Sequence, residues 1–292
     1  MDKIIGLGKW GCLVAEELTE YPEYRIYKID SEIKERASLS IGTHENIEEY
    51  EKNLDTQEVS LYLRNIKDSD EVLFICCGEE KIVGASLPIL ETIKGANINI
   101  LYLCPDREVL SQEQKRDDKI AFNILQEYAR SGLFSNIFLV DILTIEKMIG
   151  DVPISEHKKR VANFISYVVA MINYYDHTDA FMANLIAPKN FCRIGTLGLS
   201  SINPSSEGAV NMFFPLEDVT DLHFYYGVPK KDLEEDALLT NQIKNHVKQH
   251  SVEGMAASFS IYEADLDDVL VLCKSLSSAI QDFAGSPKSE NK

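Results

Sequence analysis

The chain has 292 residues, enough to bury a sizeable core in one domain or two. Its formal net charge of −18, without any Lys/Arg patch along the sequence, argues against a phosphate-backbone ligand and so against direct nucleic-acid binding. No apolar run is long enough to span a bilayer and the chain opens on a strand rather than a leader, so a cytoplasmic protein with no membrane partner is expected.

In chain order, the first signal is Lys3-Ile4-Ile5-Gly6-Leu7-Gly8-Lys9-Trp10-Gly11-Cys12, an apolar strand running into glycines at GxGxxG spacing. Such a turn lets backbone approach a phosphate, and the run from Cys12 to Leu18 would open a helix whose first amides favour an anion. A strand over 24–29 ends in Asp30, about 20 residues past the last glycine, where a dinucleotide fold carries its ribose-binding acid. The same glycines could instead serve packing alone. The runs 71–77, 98–104 and 136–140 are almost continuously apolar, as strands buried on both faces are. Helical periodicity fills the gaps over 87–94 and 112–131, giving a parallel sheet covered on both sides. A long helix is expected over 155–175, with Val161, Phe164, Ile165, Val168, Val169 and Ile172 on one face and a boundary near Ser155.

Beyond residue 185 the texture becomes α+β. Strands are expected over 194–199, 209–214, 222–226 and 256–262, with one amphipathic helix over 231–250. The stretch 268–276 suits strand or helix equally. The implied division is a Rossmann-like α/β domain over 1–154, a central helix and acidic loop over 155–185, an α+β domain over 186–284, and a disordered polar tail over 285–292. Six cysteines, Cys12, Cys76, Cys77, Cys104, Cys192 and Cys273, form no CxxC pair and sit mostly in apolar runs, so buried thiols are expected rather than zinc or disulfides.

The order of these parts resembles the tubulin/FtsZ family. The features that carry the resemblance are the first glycine turn, a second loop at Cys77-Gly78-Glu79-Glu80-Lys81-Ile82-Val83-Gly84-Ala85-Ser86, the long helix, the acidic segment Asn173-Tyr174-Tyr175-Asp176-His177-Thr178-Asp179, and the glycine-bearing strand Arg193-Ile194-Gly195-Thr196-Leu197-Gly198. The resemblance spans nearly the whole chain and lies in order and spacing. It implies a GTP- or GDP-binding protein, with Mg2+, that polymerises head to tail. Nucleotide contacts would come from Gly6, Gly8, Lys9, Trp10, Gly11 and Cys12 in the first turn, and from Gly78, Lys81, Gly84, Ala85 and Ser86 in the second. Glu113 and Arg116 would hold the ribose and base region, and Asn163 the base. Asp176 and Asp179 would act catalytically, positioning water against the nucleotide of the neighbouring subunit.

The second loop departs from the family's run of glycines. Glu79 and Glu80 beside a triphosphate would oppose binding unless Lys81 or a metal compensates, so these carboxylates point to solvent or the site has decayed. Three readings follow: a GTP-binding tubulin-like protein, an NAD-dependent oxidoreductase or NAD-sensing protein using Gly6, Gly8, Gly11 and Asp30, and a tubulin-like interaction protein without nucleotide. The second lacks a downstream catalytic His-Asp or Tyr-Lys pair.

Overall fold

The computed structural model describes residues 1–202 and 210–283. The first half alternates strand and helix. Lys3–Leu7 (β1) turns into Gly8–Glu17 (α1), followed by Arg25–Asp30 (β2), Ser38–Ser40 (β3), Ile47–Asn53 (α2) and Thr56–Tyr62 (α3). Glu71–Cys77 (β4) leads through a 3-10 turn at Lys81–Ala85 to Ser86–Glu91 (α4). Asn97–Cys104 (β5), Gln112–Ser131 (α5), Asn136–Asp141 (β6) and Ile142–Ile149 (α6) complete this half. The 20-residue helix His157–Asp176 (α7) then runs across the molecule. The second half comprises Met182–Asn184 (β7), Ile194–Ser200 (β8), Asn211–Met212 (β9), Val219–Pro229 (β10), Lys230–Glu235 (α8), Leu239–His250 (α9), Ala256–Ala264 (β11) and Leu270–Ser277 (β12).

The strands form one sheet in the order β3-β2-β1-β4-β5-β6-β8-β12-β10-β11-β7, with β9 paired to β8. Pairing is parallel from β3 to β8 and antiparallel where β12 joins β8 and β10. The sheet crosses the expected boundary at 186 without a break, through the parallel pairs Ile137↔Ile194 and Phe138↔Gly195. Alternation along the strands sends Ile5, Phe74 and Ile100 to one face and Ile4, Leu73 and Leu101 to the other. On the second face, Val161, Ile165, Val168, Val169 and Ile172 of α7 share one core with Val14 of α1 and with Phe213, Tyr225 and Leu272 of the second half. Helix α7 is therefore the spine that both halves pack against.

Several expected elements take a different form. The helix expected over 87–94 is α4, beginning at Ser86 and ending at Glu91. The helix expected over 231–250 is two helices, broken at Asp236, whose carboxylate accepts from the Leu238 amide at 2.8 Å. The ambiguous stretch 268–276 is strand β12, held centrally between β8 and β10. Helix α7 starts at His157 rather than Ser155, and its N-cap, Glu156, makes no side-chain cap. The tail expected over 285–292 and the start of the strand expected at 209 lie outside the described residues. All six cysteines are buried free thiols.

Candidate functional site

The first glycine turn is tighter than its spacing suggests, because α1 already begins at Gly8. Gly8 has φ +74°, the left-handed region that favours glycine. Gly6 and Gly11 answer to packing: a Cβ on Gly6 would lie 2.4 Å from the Gly11 carbonyl oxygen, and one on Gly11 would lie 2.4 Å from the Ile75 carbonyl oxygen of β4. The motif thus locks turn, helix and neighbouring strand together and leaves the first free amides of α1 facing outward. Cys12 is held inside, its thiol donating to the carbonyls of Gly6 (3.3 Å) and Ile29 (3.6 Å), and burial pushes its pKa up to about 12.

Those amides are already occupied by the second loop. The Glu80 carboxylate accepts from the backbone N–H of Lys9 (2.9 Å) and of Trp10 (3.3 Å). Glu79 accepts from the Trp10 indole N–H at 2.7 Å. The two carboxylates do not point to solvent; they clamp the loop onto the turn. Trp10 is buried, and Lys158 of α7 lies over its ring at 5.0 Å. Burial raises the Glu80 pKa to about 7, with Asp30 and Glu79 adding repulsion and the two amide bonds opposing the rise. Lys81 does not compensate Glu80. Its ammonium donates to the Glu45 carbonyl (2.6 Å) and pairs with Glu113 (3.0 Å). Ile82 crowds the turn from the same loop, with Cγ2 only 2.8 Å from where a Cβ on Gly8 would stand.

The remaining sequence-predicted residues separate into two groups. Gly78, Gly84, Ala85 and Ser86 follow β4 as expected, but Gly78 is pressed against Asp118 and Tyr102, and Gly84 against the Ile47 backbone. Tyr102 of β5 donates to buried Asp118 of α5 at 2.7 Å, which fixes α5 against β5 beside the loop. Glu113 is brought to the loop through Lys81, whereas Arg116 pairs with its neighbour Asp117 at 3.2 Å. Asn163 donates to Glu17 at 3.1 Å, at the end of α1 remote from the turn. Asp30, at the end of β2, accepts from the Ser31 amide at 2.7 Å.

The acidic loop lies at the other end of α7. Asn173 there donates to the Met1 carbonyl at 2.9 Å, beside the start of β1, while the glycine turn stands at the end of β1. A 20-residue helix is about 30 Å long, so the two regions occupy opposite ends of the molecule. Asp176 accepts from the Tyr225 hydroxyl (2.7 Å) and pairs with Lys274 (3.0 Å). Asp179 is exposed and makes no hydrogen bond or ion pair among the described residues. A cavity of about 590 Å³ lies beside it, lined by Asp176, Asp179, His223, Tyr225, Tyr262 and Lys274. Sequence reasoning missed the Tyr225 and Lys274 anchors, since the second half gives no local motif that ties them to the loop.

No protein-family model and no curated protein sequence matches this chain. Solved structures do. An empty FtsZ dimer of M. jannaschii is similar over 99% of this chain and 96% of that one, with a TM-score of 0.69 at 12% identity. The GTPγS-form protofilament of Bacillus thuringiensis serovar israelensis TubZ covers 96% of this chain and 87% of its own, with a TM-score of 0.71 at 12% identity. The GTPγS-bound CetZ2 protofilament of Haloferax volcanii covers 97% and 95%, with a TM-score of 0.71 and 12% identity. The chain has the tubulin/FtsZ fold.

Proposed function

We propose that this chain is a tubulin-like protein that associates head to tail with further copies of itself, takes GTP or GDP at the glycine-turn end, and completes a hydrolytic site with the acidic loop of the next copy. The observation that carries this reading is the separation of the glycine turn and the acidic loop by the length of α7. One molecule cannot bring them together; a head-to-tail pair can. Support comes from protofilaments of the same fold in GTPγS forms. Exposed apolar side chains add to it. Phe181, Leu185, Ile186 and Phe191 follow the acidic loop, and Ile154 precedes α7 at the other end, where burial by a neighbouring copy would be favourable.

The residues at the turn fit a phosphate in one respect: the Lys9 and Trp10 amides already hold an anion, the Glu80 carboxylate standing in for phosphate oxygens. Among the described residues no group of three metal-ligating side chains stands ready, so Mg2+ would arrive on the nucleotide's own phosphates. Asp179 would orient the attacking water as a hydrogen-bond acceptor. Asp176, held by Tyr225 and Lys274, would fix the loop that carries it.

Light scattering and GTP turnover across a range of protein concentrations test the reading. Turnover per subunit should rise with concentration as scattering appears, and concentration-independent turnover by monomers would overturn it. A second reading has its own observation, because Glu80 on the amides could supply the anion permanently and let the protein assemble without nucleotide. Assembly that is insensitive to GTP would favour it. The nicotinamide reading is not favoured, since the fold similarity lies with FtsZ, TubZ and CetZ structures.

A further inference from the structure

Two carboxylates join the second loop to the glycine turn, Glu79 through the Trp10 indole and Glu80 through backbone amides, and only Glu80 sits on the donors a phosphate would use. Glu80 reaches back to the first amides of α1, and its Oε2 lies 2.3 Å from the position a Cβ on Gly8 would occupy. A phosphate oxygen seeking the same amides meets both an occupied donor pair and a negative charge at van der Waals distance. The contact is nevertheless built to come apart. Glu80 sits on the 78–80 segment between β4 and the 3-10 turn, its aliphatic stem is flexible, and its carboxylate has no cation on it among the described residues. Lys81, its neighbour in sequence, is committed to Glu113. Asp30 and Glu79 both lie close enough to repel it, and Lys9 contributes its backbone amide but no ion pair.

Resting on the reading of the turn as a nucleotide site, we infer that Glu80 is a displaceable plug, an internal competitor that must swing off the Lys9 and Trp10 amides before a di- or triphosphate can bind. The binding-competent state is then only the fraction of molecules with Glu80 released, and apparent affinity is reduced by that fraction. Removing the carboxylate removes the competitor, whereas the amides that would hold the phosphate remain.

The chain carries its own reporter. Trp10 is its single tryptophan, its amide donates to Glu80, and its indole donates to Glu79, so tryptophan emission, excited at the red edge where the 13 tyrosines do not absorb, reads this site. Pyrophosphate is the probe, titrated into full-length protein at a concentration too low for scattering. Glu80→Ala should bind at least about tenfold tighter than wild type, and Glu80→Gln, which keeps the shape without the charge, should fall between them. Glu80→Asp, too short to reach both amides, should also gain. Circular dichroism establishes that each variant is folded, and the isosteric Glu80→Gln serves if Glu80→Ala is not. Equal affinity in wild type and folded variants overturns the plug, as does absence of pyrophosphate binding in all of them. Tighter binding in Glu80→Ala without any concentration-dependent assembly would leave the plug standing and overturn the head-to-tail reading instead.

Discussion

The two ends of α7 use carboxylates in opposite ways. At the glycine-turn end, Glu80 and Glu79 are both turned inward onto donors of the turn, the Lys9 and Trp10 amides and the Trp10 indole, so the acids close the site they border. At the acidic-loop end, Asp176 is turned inward onto Tyr225 and Lys274, and Asp179 is exposed with no hydrogen-bond or ion-pair partner among the described residues. One end turns both acids onto itself, and the other anchors one acid and leaves its neighbour exposed. The lesson is that one scaffold can leave an acid exposed at one end and turn its acids inward at the other. The residues that fix the fold there, Gly6 and Gly11, differ from those that decide what the site can accept.

That division between scaffold and charge can be broken most forcefully at Gly11. Gly11→Ala places a Cβ against the Ile75 carbonyl, a backbone atom of β4 that cannot move without shifting the sheet, and should cost about 3 kcal/mol or more in urea unfolding. Near-wild-type stability would mean that the turn and β4 are less tightly locked than their contact distance indicates.

A second effect concerns pH at the turn end. Burial holds the Glu80 pKa at about 7, above its ordinary range, so the folded protein keeps a proton that the unfolded chain has already released. Stability from this group is fully present below the unfolded carboxylate pKa and is lost as pH rises through about 7. Wild-type melting temperature should therefore fall more between pH 5 and pH 8 than that of Glu80→Gln. Parallel profiles would show that the carboxylate is already ionised at pH 5. The loop end offers a contrast in kind, because its anchor is a specific hydroxyl. Tyr225→Phe removes the O–H that Asp176 accepts and should cost about 1 kcal/mol, with Lys274 still holding the second oxygen.

How much of this was legible in the sequence follows from the range of the forces involved. The parallel half was readable because strands buried on both faces are continuous apolar runs, and α5 and most of α7 because their apolar positions recur at helical period. The short elements β3, α2, α3, α6 and β7 escaped, since spans of three to eight residues without a continuous apolar run carry too few residues to set a period. Strand β12 was ambiguous for a different reason: Val271, Leu272 and Cys273 are all buried, and a central strand without alternation cannot be told from a buried helix. At the site, the order of glycine turn, second loop, long helix and acidic loop was visible, but the direction of Glu80 was not. A carboxylate in a loop is read as solvated unless a donor is known to face it. The donors here are backbone amides 70 and 71 residues away in sequence, which no side-chain pattern announces.

The smallest structural effect sharpens the comparison most. Asp179 is exposed and makes no hydrogen bond or ion pair among the described residues, so Asp179→Ala should change unfolding stability by less than about 0.5 kcal/mol. If its role lies across a head-to-tail contact, the same substitution should abolish the concentration-dependent part of GTP turnover while pyrophosphate binding at Trp10 stays at the wild-type value, because the turn belongs to the other end of the molecule. Asp176→Ala makes the complementary case. It leaves Lys274 and the Tyr225 hydroxyl without their acceptor, so it should lose stability as well as turnover. An Asp179→Ala protein that turns over GTP normally at every concentration would leave the exposed acid without a catalytic task. One that loses stability as Asp176→Ala does would mean that both acids serve the fold, and the contrast between the two ends of α7 would then disappear.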